Sequence, residues 1–219
     1  SDIHRTFQIK NLYDANNLQH QLKYKSYSHR GLVFLWILGK LAELQVSWAV
    51  EVTSLDLSST YVRMIPDNIV HLTNLRYLNL ISNGLTELPS VICSLVNLEV
   101  LELDSNYLSS IPDRIGNLKK LRKISMDGYG FYGSKMNIIT TLPYTMKELH
   151  NLEEISIAGN RLSNLDRTSL DKMFSVLPIE HKLTKIHLSN NGFSYLPNSL
   201  GRITTCLLYT SPSPRDRSS

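Results

Sequence analysis

Cysteine is scarce in this 219-residue sequence: only Cys93 and Cys206 occur. Clusters of paired cysteines, which staple small extracellular domains, are therefore absent. None of the asparagines sits in an Asn-x-Ser/Thr sequon, so acceptors for N-glycosylation are missing too. Both absences point to the cytoplasm. The longest apolar run is Gly31-Leu-Val-Phe-Leu-Trp-Ile-Leu-Gly39, well short of the ~20 residues that span a bilayer. The residues after Ser1 lack the charged-then-apolar pattern of a signal segment.

Charge of one sign is also missing. A formal net charge of +4, without clustered Lys or Arg, excludes a nucleic-acid footprint. The seven histidines show no metal-ligand spacing with cysteines or carboxylates, and no G-x-S-x-G nucleophile motif occurs. Gly128-Tyr-Gly-Phe-Tyr-Gly133 matches G-x-G-x-x-G in spelling. A dinucleotide site needs a helix opening there and an acidic ribose partner about 20 residues on. The next acids, Glu148, Glu153 and Glu154, belong to other parts of a repeating pattern. No cofactor and no active site are expected within these residues.

What is present is a period. Taking Val52, Leu75, Leu98, Leu121, Leu152 and Leu183 as first positions, the fourth and sixth are apolar in all six units. They read Leu55/Leu57, Leu78/Leu80, Leu101/Leu103, Ile124/Met126, Ile155/Ile157 and Ile186/Leu188. Alternation of this kind marks a short strand with one buried face. The ninth position reads Thr60, Asn83, Asn106, Tyr129, Asn160 and Asn191; the eleventh reads Val62, Leu85, Leu108, Phe131, Leu162 and Phe193. An (Ile/Leu)-Pro pair follows in five units, and apolar residues three apart then suit a 3₁₀ turn on the far side.

This pattern, L-x-x-L-x-L-x-x-N-x-L-x-x-L-P-x-x-I-x-x-L, resembles the leucine-rich repeat family over residues 52–205. The resemblance implies an α/β solenoid: a curved parallel sheet lining the concave face, short helices or 3₁₀ turns on the convex face. It also implies a ladder of buried asparagine amides at position nine. Thr60 substitutes only in part and Tyr129 not at all, so the ladder is expected to break in the fourth unit.

Two units are eight residues too long. The fourth (121–151) carries extra chain between Phe131 and Leu142. The fifth (152–182) replaces the Leu-Pro turn with Leu165-Asp166; Leu170, Met173, Phe174 and Leu177 then predict a convex-side helix ended by Pro178. Residues 29–51, with Leu32, Leu35, Ile37/Leu38, Leu41 and Leu44, predict a helical cap over the first unit; residues 1–28 form a polar segment or linker. At the other end, Cys206-Leu-Leu-Tyr-Thr-Ser-Pro-Ser-Pro-Arg-Asp216 is similar to the in-frame translation of a transposase-type sequencing-library adapter. Residues 206–219 are on that reading a non-native tail.

Function is expected on the concave face, where positions three, five, seven and eight point away from the core. Tyr77, Ile81 and Val100 make an apolar-aromatic patch there. Glu102, Asp104 and Asp127 form a solvated acidic strip beside it, with Asn79, Lys123 and Glu154 adjoining. The expected partner is a protein carrying an apolar side chain and flanking basic residues. The Leu-Pro-x-x-Ile turn resembles cytoplasmic Ras-group leucine-rich proteins, which implies a signalling scaffold. Leu72-Thr-Asn-Leu-Arg-Tyr-Leu-Asn-Leu80 is similar to the sensor region of nucleotide-binding immune receptors, and a targeting arm for a catalytic domain elsewhere in the protein is a third possibility.

Overall fold

The computed structural model describes residues 30–128, 136–193 and 195–202, together with the backbone of two strands at 6–8 and 207–209. Tyr129, Phe131 and most of the fourth unit's extra chain lie outside the described residues. Eight three-residue strands form one parallel sheet in chain order: β1 (Thr6–Gln8), β2 (Ser54–Asp56), β3 (Tyr77–Asn79), β4 (Val100–Glu102), β5 (Lys123–Ser125), β6 (Glu154–Ser156), β7 (Lys185–His187) and β8 (Leu207–Tyr209). Each strand pairs with the next at equivalent repeat positions, so Leu55, Leu78, Leu101, Ile124, Ile155 and Ile186 fall in one fully buried row. That row and its neighbour at position six form the spine of a single continuous core.

After each Pro the chain descends in steps of three. Ile69 N donates to Pro66 O, Leu72 N to Ile69 O, and Leu75 N to Leu72 O. The same series repeats from Pro89, Pro112 and Pro143. A 3₁₀ segment places every third residue on one line, which is why positions eighteen, twenty-one and one are all buried. These turns (Asp67–His71, Ser90–Ser94, Asp113–Asn117, Tyr144–Glu148) stack on one another opposite the sheet. The parallel-sheet solenoid expected from the repeat is thus the observed architecture.

The fourth unit requires a correction. Its ninth position is filled by Asn137, fully buried, and its eleventh by Ile139, also fully buried, in place of Tyr129 and Phe131. Asn137 Oδ1 accepts from Leu108 N at 2.9 Å, and its Nδ2 donates to Leu103 O at 2.9 Å and Asp127 O at 3.2 Å. The extra chain therefore enters before the asparagine, and the ladder runs unbroken from Asn83 through Asn106, Asn137 and Asn160 to Asn191. Asn106 Oδ1 accepts from Asn83 N and Leu85 N, both at 3.0 Å, and Asn191 Oδ1 accepts from Asn160 N at 2.8 Å. Gly128 is the point of departure. A Cβ there would lie 2.5 Å from Gly159 O and 2.6 Å from Asn137 O, so this glycine answers a close backbone approach.

Thr60 ends the ladder. Its Oγ1 donates to Leu57 O at 2.5 Å, and its carbonyl accepts Gly31 N of the capping helix at 3.1 Å. That helix, α1 (Arg30–Glu43), is followed by one turn, α2 (Ser47–Val50). It buries Phe34, Leu35, Leu38 and Ala42 against the first unit, whereas Leu44 is exposed. Gly39 permits the contact: a Cβ there would meet Asn68 O at 2.7 Å, and Asn68 Nδ2 donates to Trp36 O at 2.7 Å.

The fifth unit holds the expected helix, α3 (Arg167–Phe174), with Leu170, Met173 and Phe174 buried. Asp166 caps it, accepting from Ser169 N at 2.9 Å. The helix stops at Phe174, earlier than Pro178, because Ser175 already forms the C-cap. Beyond Asn198–Arg202, strand β8 joins β7 by pairing Leu207 with Lys185. That is one residue earlier than the 23-residue period separating β2 from β3 and β3 from β4.

Candidate functional site

The side chains at positions three, five and seven do not stand free on the concave face; they bond from one repeat to the next. Tyr77 Oη donates to Glu102 Oε2 at 2.7 Å, and Glu102 Oε1 accepts from Lys123 Nζ at 3.2 Å. Lys123 lies 3.8 Å from Glu154, which is in turn approached by Lys185 at 3.5 Å and by His187 at 3.7 Å. The result is a chain of alternating charge across β4 to β7, joined at its β3 end by the Tyr77 hydroxyl. Burial, the Glu102 hydrogen bond and the Glu102 charge hold the Tyr77 hydroxyl protonated far into alkaline pH. Burial acts to depress the Lys123 ammonium, but Glu102 and Glu154 outweigh it and raise its pKa.

The acidic strip differs from the solvated one expected. Asp104 Oδ1 accepts from Asp127 N at 2.7 Å, and Asp127 Oδ1 accepts from Ala158 N at 2.8 Å and Ser156 Oγ at 2.6 Å. Both carboxyls are largely withdrawn from water, because each folds back onto the backbone of the following unit. Burial pushes Asp104 up to about 6, with the charges of Asp127 and Glu102 adding to it. Burial likewise raises Asp127, against the opposing bonds from Ser156 and Ala158 and the charges of His187 and Lys123.

Of the nine residues expected to meet a partner, Tyr77, Ile81, Val100, Glu102, Asp104, Lys123, Asp127 and Glu154 are half-buried on this one surface. Asn79 is only 7% exposed; its Oδ1 accepts from Ile81 N at 2.9 Å and its side chain also bonds Tyr77, so it shapes the turn after β3 and is covered by its neighbours on this face. Sequence reasoning passed over Ser125 and Ser156, whose hydroxyls lie among the acids, and Lys185 and His187, which extend the charge chain. Reading the same columns for hydroxyls and cations would have found them.

A second row of asparagines runs outside the core. Asn74 donates Nδ2 to Val50 O of the cap, and Asn97 and Asn151 each to a carbonyl of the preceding unit, at 2.7–2.8 Å, with Lys120 and Lys182 bonding Asn97 and Asn151 in turn. Far from the concave face, a surface hollow of about 320 Å³ is lined by Lys147, His150, Leu177, Pro178 and His181. Among the described residues no group of three or more His, Cys, Asp or Glu is placed to hold a metal, and no helix is long and apolar enough to cross a membrane.

A family model described as a leucine-rich repeat region matches residues 25–211. The chain belongs to the leucine-rich repeat family. The match reaches into the segment after residue 205 as well as covering the six units. Among solved structures, a leucine-rich repeat protein of Leptospira interrogans is similar at 26% identity and a TM-score of 0.55, over 82% of this chain and 48% of its own length. An internalin from Listeria monocytogenes shares the fold at 19% identity and a TM-score of 0.56, over 80% of this chain and 44% of its own. The chain thus spans a little under half the length of each. No curated protein matches it. Leucine-rich repeats of this kind serve as protein-interaction modules, typically as binding scaffolds instead of catalysts.

Proposed function

We propose that this segment binds a protein partner through its concave face, as a cytoplasmic scaffold in signalling. The supporting observation is the fixed arrangement of the surface. Tyr77, Glu102, Lys123, Glu154 and Lys185 are held in place by contacts between repeats, so a partner meets side chains already ordered. Ordering long side chains on binding costs about 0.5–1.5 kcal/mol each, and here much of that cost is met on folding. Ile81 and Val100, half-buried beside Tyr77, supply apolar contact area for an anchoring side chain.

Panning a displayed peptide library against the chain tests this reading. Selected binders should lose at least tenfold in affinity for the Tyr77→Ala/Glu102→Lys double variant, and little for Lys119→Glu on the opposite side. Binders indifferent to the concave substitutions but lost with Lys119→Glu would overturn it. The reading of residues 206–219 as adapter-encoded is supported by the agreement of Cys206 to Asp216 with the translated adapter and is tested by genomic sequence across residue 205.

A further inference from the structure

The helix that covers the first unit is itself uncovered. Gly31, Leu35, Leu38, Gly39 and Ala42 make the face of α1 that packs on that unit, and all are buried. A Cβ on Gly31 or Gly39 would strike Val62 or Asn68. The helical period places Val33, Trp36, Ile37 and Lys40 on the opposite face. Leu44 continues that stripe one turn on, because Leu44 N still donates to Lys40 O at 3.0 Å. Trp36 is 50% exposed and Leu44 73%, while Val33 and Ile37 are half-buried. Lys40, the one charge in the stripe, is paired with Glu43 at 2.6 Å. A helix that is apolar on both faces is ordinarily buried on both.

The sheet shows what kind of surface this is. β1 pairs with β2 in parallel and in register, Thr6 with Ser54, Phe7 with Leu55 and Gln8 with Asp56. It therefore holds positions three to five of a unit of its own. Phe7 and Ile9 repeat the apolar spacing of positions four and six. In that unit α1 takes the place of the 3₁₀ turn, lying against the turn Asp67–His71 of the next. Inner units meet their predecessors through two features at once, a strand edge and an apolar stripe on the convex side. The layer of β1 and α1 presents both. β1 is the first strand of the sheet among the described residues, so its outer edge offers backbone donors and acceptors, and α1 offers the stripe. This face continues an interface that the solenoid already uses at each step.

We propose that this face docks a preceding leucine-rich unit of the same protein, whose strand pairs with β1 and whose convex turn covers Trp36, Ile37 and Leu44. A leucine-rich unit carries both halves of the match, and it needs a neighbour to bury its own apolar face. A lone amphipathic helix would cover the stripe and leave the β1 edge open; an added strand would pair the edge and leave the stripe in water. The consequence for the concave surface is one of position. Tyr77 stands on the third strand of this sheet and lies deeper inside the longer one, with a binding surface extending to both sides of it. The inference is independent of what that surface binds.

Trp36 and Trp48 are the two tryptophans, so Trp48→Phe leaves Trp36 as the reporter on the stripe. The test compares this chain with the native protein extended upstream of Ser1 by two repeat lengths, about 50 residues. In the longer protein, acrylamide quenching of Trp36 should fall at least threefold. Amide exchange in Thr6–Gln8 should slow at least tenfold there, measured without the Trp48 substitution so that the result does not depend on it. Equal quenching and equal exchange in the two proteins would overturn the proposal, as would an initiator methionine directly before Ser1. Trp36 already shielded in this chain would assign the stripe to residues 9–29 and overturn it too. Concentration-dependent dimerisation of this chain in sedimentation, abolished by Trp36→Glu, would make the occupant a second copy instead.

Discussion

At the scale of single residues, the amide at repeat position nine bears the heaviest structural load. Asn137 is buried, and its side chain serves Leu108 N, Leu103 O and Asp127 O. Asn137→Ala leaves those buried groups unsatisfied, at ~1–3 kcal/mol for each uncompensated group. It should cost about 3 kcal/mol or more in chemical denaturation, while Asn117→Ala, at an exposed site, should cost little. Asp104 acts in the opposite direction. Its carboxyl titrates near 3.8 when unfolded and about 6 when folded, so folding takes up a proton between those values. Stability from this group is greatest below pH 4 and is lost as pH rises toward 6. Asp104→Asn should therefore raise the Tm by a few degrees at pH 7, about 1–2 kcal/mol at 2–4 °C per kcal/mol, with the gain shrinking by pH 4.5. A gain that persists unchanged at low pH would show that burial of the charge is not its source.

At the scale of elements, each 3₁₀ turn is shaped by contact with the next. A Cβ on Gly116 would come within 2.4 Å of Thr145 O, a backbone atom that cannot swing aside. Gly116→Ala should force the turns at Asp113–Asn117 and Tyr144–Glu148 apart and cost about 1–3 kcal/mol by overpacking. The matching Gly201→Ala, in the turn Asn198–Arg202, has nothing within 4 Å and should be close to neutral. Comparing the two variants in the same denaturation assay separates packing from the general effect of replacing a glycine.

At the scale of the molecule, stability in a stacked array is carried between neighbours. The cap is the first such interface. Gly39→Val would push α1 off Asn68 and uncover the first unit. Amide hydrogen exchange should then accelerate over residues 52–80 while residues 152–200 remain protected. Uniform acceleration would instead mean that the array unfolds as one cooperative block. The same nearest-neighbour logic explains how two 31-residue steps, β5 to β6 and β6 to β7, follow the 23-residue steps that run from β2 to β5. Register is fixed locally by the buried row at position four, and extra chain leaves the stack between fixed points.

The sequence alone determined the fold. Period, strand alternation, Pro placement and the capping helix are one-dimensional patterns, and a solenoid contacts only its neighbours, so such patterns translate directly into structure. Even the Asn137 position was legible: it precedes Pro143 by six residues, as Asn83 precedes Pro89 and Asn106 precedes Pro112, but counting forward from Leu121 concealed it. Tertiary structure alone decided the state of the concave side chains. Whether Glu102 is free or held by Tyr77 and Lys123, and whether Asp104 is solvated or drawn onto Asp127 N, depends on residues 21–25 positions apart lying one strand spacing from each other. Hydrogen bonding and desolvation are short-range in space, not in sequence. The columns name the groups that meet, and only their geometry settles which of them remain available to a partner.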